Sequence, residues 1–233
     1  MSLVPAQGLY DPRAEHDACG FGFVADVQGR ASHAIVRDAL QVLANLEHRG
    51  ASGSEKDTGD GAGILTQIPH GFLQARCRAL GFELPAPGDY GVGMLFLPAD
   101  VDRLSCERIL EAAAVEEGQR ILGWRDVPTD NASLGATARG SQPVIRQVFL
   151  GRGPGTAAGD PFERKLYVIR RLAEKRVSRS VLQGRGTFYV SSLSSRTVVY
   201  KGMLNSDQLA AFYTDLGDEA FLASFVALSS KSA

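Results

Sequence analysis

The sequence has few cysteines and histidines, no long apolar run and no excess of charge of either sign. Its 233 residues include three cysteines, four histidines and one tryptophan. No apolar run approaches the ~20 residues that a membrane-spanning helix needs. The 25 basic side chains are balanced by 26 acidic ones. This balance gives no reason to expect nucleic acid or an anionic membrane surface as a partner.

The scarcity of cysteine and histidine excludes several kinds of site. Cys19, Cys77 and Cys106 are widely spaced and form no Cys-x-x-Cys pair. Free thiols in a reducing cytoplasm are therefore expected. The histidines show no metal-ligand spacing, so no metal site is expected. Residues 1–18 lack a basic segment followed by an apolar one and do not predict a secretory signal.

The remaining composition is typical of one globular domain. Hydrophobic residues make up 44% of the chain, which is enough to bury a substantial core. The patterns predict strands over 21–27, 63–68, 92–97, 121–127, 144–150, 187–191 and 197–200, and helices over 32–47, 71–80, 100–117 and 205–216. Residues 162–179 fit either a helix or a strand. Composition and periodicity thus indicate only a mixed α and β fold, without repeats or linkers.

Cys19 stands between a polar leader, residues 1–18, and an apolar run interleaved with glycine, residues 19–25. If the bond between Ala18 and Cys19 were cut, one residue would carry both a thiol and a free α-amine. An α-amine with a pKa of about 8 can accept the thiol proton near neutral pH, which completes a nucleophile–base pair. An uncut Cys19 has only an amide nitrogen, which is no base. The alternative is a structural cysteine at the start of a strand.

Three motifs in order carry a family resemblance. They are Cys-Gly-Phe-Gly-Phe at 19–23, Asn-Leu-Glu-His-Arg-Gly-Ala-Ser-Gly at 45–53 and Thr-Gly-Asp-Gly-Ala-Gly-Ile-Leu at 58–65. Together they resemble the class II glutamine amidotransferases, whose mature chains begin with the catalytic cysteine. The leader and the run 192–204 are, within that class, similar to the large subunits of glutamate synthases.

The resemblance implies a fold and an activity. The fold would be α+β, the four-layer αββα sandwich of the N-terminal-nucleophile hydrolases, incomplete at its C-terminus. Residues 1–18 would be a propeptide-like leader and 19–233 a partial amidotransferase domain. After cleavage between Ala18 and Cys19, Cys19 would release ammonia from L-glutamine for glutamate synthesis from 2-oxoglutarate. Arg49 would support the nucleophile, although an arginine near a helix C-terminus also interacts with the helix dipole in any protein.

The glycines around Asp60 admit a second interpretation. Alternating glycines can mark a dinucleotide loop, but that loop follows a strand and opens a helix, whereas an apolar strand pattern follows here. Asp57 and Asp60 are too few oxygen donors for a calcium loop. We interpret Gly59, Asp60 and Gly61 as a tight structural loop that brings backbone close to Cys19.

Cofactors and protein partners are expected outside these residues. By resemblance, FMN and an iron–sulfur cluster would belong to the synthase region of the parent enzyme, and none is expected in this chain. The partners would be the rest of the glutamate synthase large subunit and a small subunit that oxidises NAD(P)H.

The end of the sequence departs from the family pattern. Residues 221–228 resemble the lead-in to a strand, after which the family has a substrate-clamping arginine and an Asn-Gly oxyanion hole. Losing one oxyanion donor costs roughly 100- to 1000-fold in rate. The sequence therefore predicts a truncated chain, inactive and poorly soluble alone, with residues 226–228 at an unpaired sheet edge. Two alternatives are a non-catalytic assembly module and another class II amidotransferase, although the long leader argues against the second.

Overall fold

A computed structural model describes residues 20–46, 59 and 61–230. The strands are β1 (Gly20–Ala25), β2 (Ala62–Gln67), β3 (Tyr90–Leu97), β4 (Arg120–Asp126), β5 (Val144–Gly151), β6 (Tyr189–Ser194), β7 (Thr197–Gly202) and β8 (Phe225–Ser230). The helices are α1 (His33–Asn45), α2 (His70–Ala79), α3 (Asp102–Glu116), α4 (Ala136–Gly140), α5 (Asp160–Ser178) and α6 (Gln208–Phe212). Two 3-10 turns span Gln183–Gly186 and Thr214–Gly217.

The strands form two four-stranded antiparallel sheets. The first sheet has the order β1-β8-β2-β7 and the second the order β4-β5-β3-β6. Helix α1 packs on β1 and β8, whereas α5 packs on β6 and α3 on β4. This confirms the predicted fold class, α+β with two sheets and helices packed around them, consistent with an N-terminal-nucleophile sandwich.

The segment 162–179, for which the pattern is ambiguous, falls almost entirely within the long helix α5, Asp160–Ser178. Its buried residues recur every three or four positions and so form one face: they are Phe162, Leu166, Ile169, Ala173 and Val177. Asp160 lies in the first turn, and Lys175 and Arg176 lie in the last turn. Acidic residues at the start and basic residues at the end complement the helix dipole.

The predicted helix over 205–216 is wrong, because the segment is interrupted at Tyr213. Helix α6 ends at Phe212, and Tyr213 has an extended backbone with φ −95° and ψ 92°. Tyr213 forms an isolated β-bridge with Thr129, and its hydroxyl donates to the carbonyl oxygen of Lys201 at 2.8 Å. These long-range bonds require Tyr213 to leave the helical conformation, and a 3-10 turn follows.

The expectation that residues 226–228 lie at an unpaired edge is also wrong. Strand β8 lies inside the first sheet and is paired on both sides, with β1 and with β2. Val226 and Leu228 are buried. Their side chains belong to the apolar cluster that also contains α1, which explains why an apolar strand occupies this interior position. The edges of the first sheet are β1 and β7.

Candidate functional site

Gly20, which follows Cys19 in the chain, begins β1 at one end of the first sheet. It pairs with Ser230 of β8, Ser230 pairs with Ala62 of β2, and Ala62 pairs with Gly202 of β7. The four residues in this row are small. None of the four described residues in this row has a bulky side chain. The row lies at the strand end that is next to position 19 in the chain.

Gly59, which precedes β2, lies close to the residues that follow β7. The backbone of Gly59 lies against residues 204 and 205: a Cβ at position 59 would stand 2.3 Å from the carbonyl of Leu204 and 2.4 Å from the nitrogen of Asn205. Gly61 has a φ of +146°, a conformation that side chains disfavour. Both positions therefore require glycine. That Gly59, Asp60 and Gly61 form a tight structural loop near the site stays a prediction.

Four of the predicted site residues, Ala18, Cys19, Arg49 and Asp60, lie outside the described residues. Their roles stay predictions, as does the closeness of the Gly59–Gly61 loop to Cys19. The structure describes Gly59 and Gly61 and places them beside the end of β7 and the residues that follow it.

The two faces of β1 differ because side chains alternate along a strand. A Cβ on Gly22 would lie 3.5 Å from Val42 of α1, and one on Gly20 would lie 3.2 Å from Leu46. Glycine on this face thus lets α1 approach closely. The opposite face carries Phe21 and Phe23, which are 71% and 64% exposed.

A cavity of about 580 Å³ opens on this opposite face. One cross-strand row of its lining consists of Phe21, Ser229, Gly63 and Lys201, contributed by β1, β8, β2 and β7 in turn. Most of the remaining lining is apolar. A space of this volume falls in the range of small-molecule sites, about 300–1,000 Å³, and it reaches the strand end at which Gly20 lies.

A buried ion pair that the sequence analysis missed belongs to a polar cluster that links the two sheets. Arg125 of β4 donates from Nη1 and Nη2 to the two carboxylate oxygens of Asp215, at 2.8 and 2.6 Å. Nη1 also donates to Oε1 of Gln147 at 2.9 Å. Tyr200 of β7 accepts from Nε2 of Gln147 at 3.2 Å and donates to Asp215 at 3.0 Å. We call these four residues the polar core cluster.

The electrostatics of the polar core cluster follow from its burial. Burial alone would lower the pKa of Arg125, but the hydrogen bond and the charge of Asp215 outweigh it and raise that pKa. Burial, and then the negative charge of Asp215, raise the pKa of Tyr200 well above its ordinary value. Arg125 is therefore a cation and Tyr200 a neutral donor. The cluster holds β7 immediately before Lys201, a residue of the cavity wall.

Two of the three thiols are buried core groups. Cys77 on α2 and Cys106 on α3 have no exposed surface. Burial raises the pKa of Cys77 to about 12 and that of Cys106 to about 11. Because the thiolate is the reactive form, neither is suited to act as a nucleophile at neutral pH.

Within residues 20–46, 59 and 61–230, no group of three or more His, Cys, Asp or Glu side chains could hold a metal ion. No helix in the same part of the chain is long and apolar enough to span a bilayer.

Comparison with known proteins gives a family match over most of the chain. Residues 19–231 match the family described as "Glutamine amidotransferases class-II". The chain is 47% identical over 227 residues to the glutamate synthase [NADPH] large chain of Bacillus subtilis. It is 37% identical over 238 residues to glutamate synthase [NADH] of Schizosaccharomyces pombe, and 39% identical over 218 residues to the chloroplastic ferredoxin-dependent glutamate synthase 2 of Arabidopsis thaliana.

These alignments cover nearly the whole chain but a small share of each relative. They include 97%, 99% and 93% of this chain, in the same order. They include 14%, 11% and 13% of the relatives' own lengths. The chain is therefore homologous to one domain-sized part of these much longer proteins.

Proposed function

Because this chain belongs to the class II glutamine amidotransferases, we propose that it hydrolyses L-glutamine with Cys19 as an N-terminal nucleophile. The observation that carries the proposal is the start of the family match. The match begins at Cys19, and it leaves residues 1–18 outside. That boundary coincides with the bond whose cleavage would free the amine of Cys19.

The chemistry requires a nucleophile and a proton acceptor. After cleavage between Ala18 and Cys19, the α-amine takes the proton of the thiol. The thiolate attacks the side-chain carboxamide of glutamine. The protonated α-amine then gives its proton to the amide nitrogen, and the carbon–nitrogen bond breaks as ammonia leaves. Water then hydrolyses the γ-glutamyl thioester, which releases glutamate and restores the thiol. While the leader is attached, position 19 has no amine and the reaction is blocked.

The surroundings of Gly20 support this use of position 19. The row of small residues leaves space for an amino acid at the end of the first sheet. Arg49 would help to order the nucleophile, and the Gly59–Gly61 loop would bring backbone to the same place. The other two thiols are buried and protonated, which leaves Cys19 as the candidate nucleophile.

The larger enzyme is proposed by homology. The relatives' names include synthases that use NADPH, NADH or ferredoxin. We infer that the ammonia serves glutamate synthesis from 2-oxoglutarate, in association with the rest of a glutamate synthase large subunit, in the cytoplasm. A small subunit that oxidises NAD(P)H would deliver electrons, and FMN and an iron–sulfur cluster would lie outside these residues.

The test compares the three cysteines in the protein that carries this chain. Ammonia and glutamate release from glutamine should be abolished by Cys19→Ala. Cys77→Ala and Cys106→Ala are the matched controls and should retain most of the activity, since both thiols lie in the core. Undiminished glutaminase activity in Cys19→Ala would refute the proposal, and so would activity lost only in a control variant that still folds.

A further inference from the structure

Lys201 lies at the wall between two cavities. It lines the cavity of about 580 Å³ on the first sheet and a neighbouring cavity of about 260 Å³ that extends toward α4 and α6. Phe96, Gly202 and Met203 also line both. Among the described residues around these two spaces, Lys201 has the only charged side chain. A cation is thus placed where the walls are otherwise neutral and largely apolar.

The ammonium group of Lys201 is oriented, and none of the described residues supplies a counter-ion. Its Nζ donates to the hydroxyl of Tyr189 at 2.5 Å and lies 4.5 Å from the centre of the same ring, within the range of a cation–π contact. No carboxylate in the described part of the chain forms an ion pair with it. Since a lysine has three donors, the bond to Tyr189 leaves two that can point to a ligand.

The residue opposite Lys201 on the neighbouring strand leaves room for the lysine side chain. Gly63 lies directly opposite Lys201 on β2, and a Cβ at position 63 would stand 2.7 Å from the Cβ of Lys201. Any larger residue at 63 would push the lysine out of its position. Gly63, Lys201 and Tyr189 therefore act together to hold a cation against the cavity.

We propose that the larger cavity binds the carboxylate of a small ligand with an apolar body, and that Lys201, oriented by Tyr189, holds this carboxylate. The apolar lining around Phe96 and Met203 covers the body of the ligand, while the two remaining N–H groups of Lys201 bind its oxygens. Such charge-assisted bonds are stronger than those to a neutral group.

This site is separate from the proposed glutaminase chemistry. Strands β1 and β7 are the two edges of the first sheet. Three inter-strand steps of ~4.8 Å place them ~14 Å apart. Lys201 therefore lies at the opposite edge of the sheet from Gly20. The two proposals have separate readouts, which are ligand binding for this site and ammonia release from glutamine for the other.

The test uses 4-phenylbutyrate as the probe, its uncharged amide as the matched ligand and acetate as an anion without an apolar body. Binding is measured by isothermal titration calorimetry and by the shift of the Met203 methyl resonance. We expect 4-phenylbutyrate to bind about tenfold or more tightly than its amide, and acetate not to bind measurably. Lys201→Met should reduce the affinity for 4-phenylbutyrate to that for the amide.

Lys175→Met is the control, because it removes the same charge from an exposed position on α5; its affinity should equal that of the wild type. Equal binding of acid and amide by the wild type would overturn the proposal. So would unchanged affinity in Lys201→Met, or the same loss in Lys175→Met. If Lys201→Met does not fold, the comparison of acid and amide binding by the wild type tests the proposal. Lys201→Arg is then the second variant: it keeps the charge and should keep the preference for the acid.

Discussion

Replacing Asp215 with asparagine is expected to remove a large part of the free energy of unfolding. The carboxylate accepts two hydrogen bonds from Arg125 and one from Tyr200, and the side chains of Arg125 and Asp215 are only 6% and 3% exposed. The asparagine keeps the shape but leaves the guanidinium charge buried without a partner. Removing one member of a buried ion pair costs ~3–5 kcal/mol. The total stability of a domain is only about 5–15 kcal/mol.

The neighbouring Asp218 supplies a matched control. It pairs with Arg76 at the surface, where the two side chains are 29% and 49% exposed. Exposed ion pairs contribute about 0–1 kcal/mol. Asp218→Asn, which makes the same chemical change three residues along the chain, should therefore shift the urea midpoint little, whereas Asp215→Asn should shift it strongly or prevent folding.

The assay is urea unfolding followed by the fluorescence of Trp124, the single tryptophan, and by circular dichroism. A third variant, Arg125→Met with Asp215→Leu, removes both charges and should be more stable than Asp215→Asn, because no unpaired charge remains. The reasoning is refuted if Asp215→Asn and Asp218→Asn lose the same small amount of stability, or if the double variant is less stable than Asp215→Asn.

Two further predictions concern the glycine loop and the buried thiols. Gly59→Ala should destabilise the fold by about 1–3 kcal/mol, because the new methyl group would overlap backbone at 2.3 Å. The control Gly217→Ala, which has open space around the new methyl group, should change the stability by no more than about 0.5 kcal/mol. Thermal unfolding measures both variants, and equal effects would contradict the prediction. Burial raises the pKa of Cys77 to about 12 and that of Cys106 to about 11. The two buried thiols therefore contribute fully to the free energy of unfolding below the unfolded-state pKa of about 8.5, and this contribution is lost as the pH rises toward the folded-state pKa values. Urea midpoints should therefore fall above about pH 9, and replacing both thiols with alanine should flatten that fall; an unchanged slope would count against the raised pKa values.

Local patterns predicted most elements, and long-range contacts account for the errors. Strand β3 and helix α1 have clear periodicity and were predicted within two residues of their bounds. The break at Tyr213 depends on a bridge to Thr129, which is far away in sequence. The interior place of β8 depends on pairing with β1 and β2, and an apolar run alone does not reveal its neighbours.

The candidate site was accessible from sequence only in part. The motif containing Gly59 and Gly61 indicated a tight loop, and the structure explains both glycines by close approach and by a positive φ. The pair formed by Arg125 and Asp215 was missed because its members lie 90 residues apart and each is an ordinary charged residue in its local context. Lys201 lies in the run 192–204, which the sequence analysis used only for the family resemblance; its lack of a counter-ion among the described residues is visible only in three dimensions.

The central claim is that Cys19, freed at its amine, is the nucleophile of a glutaminase. The most direct measurement treats the active protein with a diazoketone analogue of glutamine and locates the label by peptide mass spectrometry, with the mature N-terminus read from the same digest. We predict one label, on Cys19, in a peptide that begins with Cys19, and none on Cys77 or Cys106. A fully active protein that retains Met1 or Ser2, or a label on either buried thiol with Cys19 unmodified, would contradict the account.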